Sequence, residues 1–151
     1  MESLSELIFR GVGFDTELKR KALEKFPGGV VAAMRAYLKI SKKMPEWNFS
    51  VPSLELDKKH SVDLMAVCPE DGRKCFFDIK GKIVYTDVKI YNITSEDHLK
   101  KSENIIDEGP CTKDQKSSDL SSIYRLHKYI KGQREKGEKV FAYLVLADSN
   151  F

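Results

Sequence analysis

A chain of 151 residues, 41% hydrophobic and 32% charged, suits one domain with its own core and leaves little room for a second; such a balance also excludes a disordered chain. The net charge of +3 permits a polyanionic partner without requiring one. No apolar run approaches the ~18 residues of a membrane span, and the opening MESLSELIFRGVGF lacks the basic start and apolar stretch of a secretory leader.

The three cysteines, Cys68, Cys75 and Cys111, include no C-x-x-C pair and no Cys/His ligand spacing, which argues against a structural zinc site. Cys68 and Cys75 fall on strand-like runs and read as plain buried thiols. A reducing, cytoplasmic setting is the expectation.

Asp15 to Phe26 has Leu18, Ala22, Leu23 and Phe26 at helical spacing, and Pro27-Gly28-Gly29 breaks it. A second helix is predicted with Val30, Val31, Met34, Tyr37 and Leu38 on one face, running out near Met44-Pro45. Phe49 to Leu56 reads as extended, with Pro52 making it an edge or irregular strand. Val62 to Cys68 and Lys74 to Lys80 are short apolar runs on either side of Pro69-Glu70-Asp71-Gly72, the pattern of a β-hairpin.

Ile83 to Ile93 reads as one strand or two, Thr94 to Glu108 as polar with a short helix, and Gly109 to Ser117 as a loop. Ser118 to Arg134 is an amphipathic helix with Leu120, Ile123, Tyr124, His127 and Ile130 on one side. Between Cys111 and Lys139 there are eight Lys/Arg against four Asp/Glu, either a surface for phosphates or a solvated face. Val140 to Ala147 is a continuous apolar run suited to an interior strand. The order is an α/β one: two helices, an irregular strand, three strands, helices, and a final strand.

Chemistry concentrates at Asp78-Ile79-Lys80. The sequence has five acid-x-Lys triplets, starting at Glu17, Asp57, Asp78, Asp87 and Asp114, so the triplet alone says little. Asp78 is the one inside a strongly apolar strand run, where two charges on one face are costly unless paired or bound to a metal. If the turn centres between Glu70 and Asp71, paired residues have numbers summing to about 141 and Asp63 stands opposite Asp78 on the same face. Two such carboxylates repel each other, and a divalent cation between them turns that repulsion into binding. The plain alternative is a structural salt bridge among Asp63, Asp78 and Lys80.

An acid opening one strand followed by acid-x-Lys on the next resembles the PD-(D/E)xK nucleases. Val62 stands where the family name has proline, and no Gln-x-x-x-Tyr pattern follows in the next helix. The resemblance implies a restriction-endonuclease-like αβββαβ core over a single domain, residues 1–151, with a mixed sheet flanked by helices. It implies Asp63, Asp78 and Lys80 as catalytic residues. One or two Mg²⁺ or Mn²⁺ would be held by Asp63, Asp78 and the Ile79 carbonyl, and an acid from the first helix, Glu24 or Glu17, would join them. The implied activity is phosphodiester hydrolysis, first as a DNA endonuclease. The implied partner is nucleic acid, with no membrane, and a homodimer is allowed. The alternatives are a non-catalytic nucleic-acid-binding or assembly module that keeps the fold, and an unrelated α/β interaction domain. His127 reads as a core or boundary histidine, His60 as a neighbour of the site, His98 as exposed and Trp47 as packing.

Overall fold

A computed structural model describes residues 30–82 and 84–148. The helix anticipated over Asp15 to Phe26, with Glu17 and Glu24, lies outside the described residues, as does Ile83. The first described helix, α1 (Val30–Lys43), is followed by β1 (Asn48–Ser50), α2 (Leu54–His60), β2 (Leu64–Val67), β3 (Lys74–Lys82), β4 (Lys89–Asn92), α3 (Glu96–Glu108), α4 (Lys113–Glu135) and β5 (Val140–Asp148). The strands form one five-stranded sheet in the order β1-β2-β3-β5-β4. It is mixed: β5 runs parallel to β3 and antiparallel to β4, while β1, β2 and β3 pair antiparallel. The fold is therefore α/β, a mixed sheet flanked by helices. No described helix is long and apolar enough to cross a membrane.

The paired residues of β2 and β3 keep the anticipated register, but the ladder stops at Leu64 and Phe77, and the anticipated pairing of Asp63 with Asp78 is not part of it. Leu64 pairs with Phe77, Met65 with Phe76, Ala66 with Cys75 and Val67 with Lys74. Gly72 in the turn has φ of 74°, a conformation that glycine reaches without a Cβ clash. Alternation then sorts β3 onto two cores. Cys75 and Phe77 join Ala32, Ala36 and Ile40 of α1 in one cluster, with Ile79 packed against it. Phe76 joins Ile123, Leu126 and Ile130 of α4 with Leu99 and Ile106 of α3 in the other. Val145 and Ala147 of β5 point to the first cluster, and Ala142, Leu144 and Leu146 to the second. The continuous apolar run of β5 thus serves both faces of an interior strand.

Several expectations need correction. The stretch from Phe49 to Leu56 is not extended throughout. Ser53 accepts a hydrogen bond from the Leu56 amide and starts α2, which carries Glu55 and Asp57 in its first turn, where acids favour the helix dipole. Ser61 then ends α2 in the left-handed conformation. Between Ile83 and Ile93 only Lys89–Asn92 is strand. The Tyr85 amide turns back to the Lys82 carbonyl and the Val88 amide bonds the Asp87 carboxylate, local bonds that compete with a ladder. The loop over Gly109 to Ser117 is cut short by a capping box, Thr112 with Gln115, that starts α4 at Lys113. On α1 the buried face centres on Ala32, Ala36 and Ile40, while Leu38 is exposed; small alanines let the helix lie close to the sheet.

Phe77 is 2% exposed and stacks on Tyr143 at 5.3 Å between ring centroids. Phe77→Ala is expected to cost about 3–5 kcal/mol. Val84→Ala, at a position 50% exposed, is expected to stay within about 0.5 kcal/mol. Urea unfolding of both variants checks the contrast.

Candidate active site

The site is assembled at one end of β3, where the strand faces α4. Asp78 shares the Phe76 face of β3 and is 1% exposed, so its carboxylate sits in the apolar layer between sheet and helix. An ionised group there needs partners. Ser122 of α4 donates to Asp78 Oδ2 at 2.7 Å. Lys80, two residues along the same face, places Nζ 3.1 Å from Asp78 Oδ1 and donates to Ser122 Oγ at 2.7 Å. The Lys80 contact is an ion pair without hydrogen-bond alignment, and Asp78 Oδ1 is a buried acceptor with no hydrogen-bond donor.

Asp63 precedes β2 and reaches the same end of β3. Its amide donates to the Phe77 carbonyl at 2.8 Å, and its Oδ2 accepts from the Ile79 amide at 2.7 Å. The carboxylate thus takes the place of a backbone acceptor just before the first paired residue of β2, in the short segment that follows the left-handed residue Ser61. This bond fixes Asp63 beside the Asp78-Ile79-Lys80 triplet. Asp63 and Asp78 both act on Lys80: burial pulls the amine down, but the two carboxylates, with Asp119 behind them, outweigh it and leave its pKa raised. The two carboxylates thus favour the ammonium form of Lys80.

Asp119, Lys82 and Ser122 belong to the same corner and were not singled out from the sequence. Asp119 is buried, one helical turn before Ser122, with Lys82 Nζ 3.8 Å from its Oδ1. Burial raises the Asp119 pKa, against the pull of Lys82 and Lys80. The i, i+3 spacing of Asp119 and Ser122 beside Ile123 and Leu126 was a readable signal, since it puts polar groups on the buried stripe. The expected stripe through Leu120 and Tyr124 is rotated: Leu120 is only partly buried and Tyr124 is exposed, whereas Asp119, Ser122 and Leu126 are buried. Three carboxylates and two ammonium groups share the corner.

The other candidates are placed as follows. His60 stacks on Tyr129 at 4.2 Å, a packing contact between α2 and α4; burial and Lys59 lower its pKa. His127 is buried, with Nδ1 2.8 Å from the Ile93 carbonyl. His98 is exposed, and Trp47 packs against the first core with Arg73 over its ring. Three cations of α4 brace the fold: Arg125 bonds the Lys58 carbonyl, Arg134 the Val140 carbonyl, and Lys131 pairs with Glu96. Cys68 and Cys75 are buried free thiols, Cys75 pushed up to about 11 by burial.

Asp63 and Asp78 offer hard oxygen donors suited to Mg²⁺, which is commonly held by one or two carboxylates with water and substrate phosphate completing the shell. The buried, hydrogen-bond-free Asp78 Oδ1 fits that role. Among the described residues no group of three or more His, Cys, Asp or Glu is placed to hold a metal ion. No protein-family model, no curated protein and no solved structure matches the chain.

Two outcomes follow. Ser122→Ala removes a hydroxyl that serves both Asp78 and Lys80, and is expected to cost about 1–3 kcal/mol, whereas Ser121→Ala, on the exposed side of α4, should be neutral; thermal unfolding reads both. For Asp119, the folded carboxyl holds its proton more tightly than the unfolded one. Its contribution is therefore complete below the ordinary value of 3.8 and is lost as pH rises through the raised pKa. Asp119→Asn should gain stability relative to the parent chain across that interval and hold a constant difference above it, measured by denaturation at a series of pH values.

Proposed function

We propose that the chain is a Mg²⁺- or Mn²⁺-dependent nuclease of the PD-(D/E)xK kind, built on a restriction-endonuclease-like core, and that it hydrolyses phosphodiester bonds in DNA. The observation that carries this reading is the meeting of Asp63, Asp78 and Lys80 at one end of β3. Alternation along β3 sets Asp78 and Lys80 on one face, and the bond from the Ile79 amide brings Asp63 to them.

In this reading Asp63 and Asp78 hold the ion, with the Ile79 carbonyl available beside them. The ion, when bound, acidifies water and offsets charge on the phosphorane. Asp63 is oriented by the Ile79 amide and Asp78 by Ser122. Lys80 brings an ammonium to the same place, where it can hold a phosphate oxygen and position the attacking water. Asp119 keeps Lys82 at the margin of the site. Glu24 remains a candidate for a further ligand outside the described residues.

A second reading, an inert cross-brace between β3 and α4, is favoured by the burial of Asp78 and its bond to Ser122. A nucleic-acid-binding module that keeps the site without catalysis is the third. The Lys80 ammonium separates them, because a cation at Asp78 has to compete with it. On the nuclease reading Lys80→Gln binds Mn²⁺ more tightly than the parent chain, Asp78→Asn binds it more weakly, and both lose cleavage by about 10²–10⁴-fold. Calorimetry with Mn²⁺, beside cleavage assays on plasmid, single-stranded DNA and RNA, reads these outcomes. Unchanged Mn²⁺ affinity in both variants, with loss of stability alone, assigns the cross-brace. Metal binding and nucleic-acid binding without cleavage assign the third reading.

A further inference from the structure

A second feature lies on the α4 side of the sheet, next to the candidate site. Leu146 of β5 is the cross-strand neighbour of Lys80 on β3 and of Lys89 on β4. Directly paired residues project to the same face, so Lys80, Leu146 and Lys89 form one row, each step about 4.8 Å. The adjacent row is Asp78, Leu144 and Tyr91. Over the outer part of these rows opens a cavity of about 240 Å³ walled by Tyr85, Tyr91, Ile105 and Leu146, with the exposed Lys89 and Asp87 at its edge. The Tyr85 hydroxyl lies 3.7 Å from Cys111 Sγ, which tethers that ring to the segment between α3 and α4.

We propose that this cavity receives one unpaired nucleobase of a single-stranded nucleic acid whose backbone passes Lys80. The inference rests on the nuclease reading for its direction and adds a substrate class to it. Its size falls below the ~300–1,000 Å³ of pockets for drug-sized ligands, which suits a single flat ring system. Two tyrosines and two aliphatic side chains supply the stacking and apolar contact that a base face takes from any sequence. Lys89 at the rim supplies a cation for a flanking phosphate. The geometry also links the two places. The cavity wall begins at Leu146, one strand spacing from Lys80, so a nucleotide with its phosphate at Lys80 has its own base or the next one over Leu146. A base within a duplex is stacked and paired and cannot enter; single-stranded substrate enters without that cost.

The test uses the full chain in metal-free buffer containing EDTA. The probes are short oligonucleotides carrying 2-aminopurine, whose fluorescence reports stacking, in single-stranded DNA, single-stranded RNA and duplex DNA arms. A saturable fluorescence change is expected with a single strand and none with duplex; the arm that responds identifies DNA or RNA as the source of the base. Tyr85→Leu should weaken the response about tenfold or more, and Tyr85→Phe, which keeps the ring and loses the hydroxyl, should restore it. Lys89→Glu, an exposed substitution, should weaken it as well and serves if Tyr85→Leu fails to fold. The proposal is overturned if neither single strand responds, if duplex responds equally, or if folded Tyr85→Leu and Lys89→Glu both bind as the parent chain does. Cleavage with Mn²⁺ is scored separately. Duplex cleavage without a stacking signal overturns the base pocket and leaves the nuclease reading standing. A stacking signal without any cleavage supports the pocket and removes the nuclease reading.

Discussion

A carboxylate withdrawn from water has to be neutralised where it stands, and Asp78 sets that condition for the layer between β3 and α4. Its partners come from two directions: Lys80 along its own strand and Ser122 from the helix across. For Ser122 to reach it, α4 must lie at one rotation about its axis and one height along β3. Ile123, Leu126 and Ile130 then pack beneath as a consequence of the same placement. An apolar layer alone tolerates small slips of a helix over a sheet. A buried hydroxyl held at 2.7 Å on both sides does not, because a shift in either direction leaves a buried polar group without its partner.

The same corner carries more negative charge than a brace needs. Lys80 alone would neutralise Asp78, yet Asp63 is turned toward it by a bond to the backbone of β3, and Asp119 lies buried behind with a raised pKa. Carboxyls buried at a cost next to others occur both at functional sites and in structural ion-pair networks. The side chains that complete the corner come from three segments: the approach to β2, β3 and α4. Each is fixed by a different local device, namely a left-handed turn at Ser61, ladder register, and the capping box that starts α4.

How far the sequence could be read depended on whether the deciding interaction was local. The hairpin register was legible because Gly72 and the flanking apolar alternation specify it within about a dozen positions, and a slip by one residue would have turned Phe77 and Ala66 to the wrong face. The final strand was legible from an unbroken apolar run, and α1 from its periodicity. The stretch after Pro52 was misread because β-like residues outweighed one capping serine, although Ser53 followed by Glu55 and Asp57 is a helix start. The stretch before Lys89 was misread because turn bonds at Tyr85 and Val88 interrupt residues of high strand propensity. Ser122 and Asp119 escaped notice for a different reason: a serine and an aspartate on a helix read as surface until the partner strand is known to carry Asp78. Asp78 and Lys80 were readable as neighbours from strand alternation alone, whereas Asp63 reaches β3 through its side-chain bond to the Ile79 amide and not through ladder pairing with Asp78.

The bond from the Ile79 amide to Asp63 Oδ2 has a spectroscopic consequence. Within β3 this amide reports on a carboxylate and not on a backbone carbonyl. Its resonance will follow the ionisation of that carboxylate, or whatever draws on it, while its neighbours in the strand stay still. A single nitrogen-bound proton, located between Asp78 and Lys80 in the chain, is therefore a built-in indicator of the electrical state of the corner.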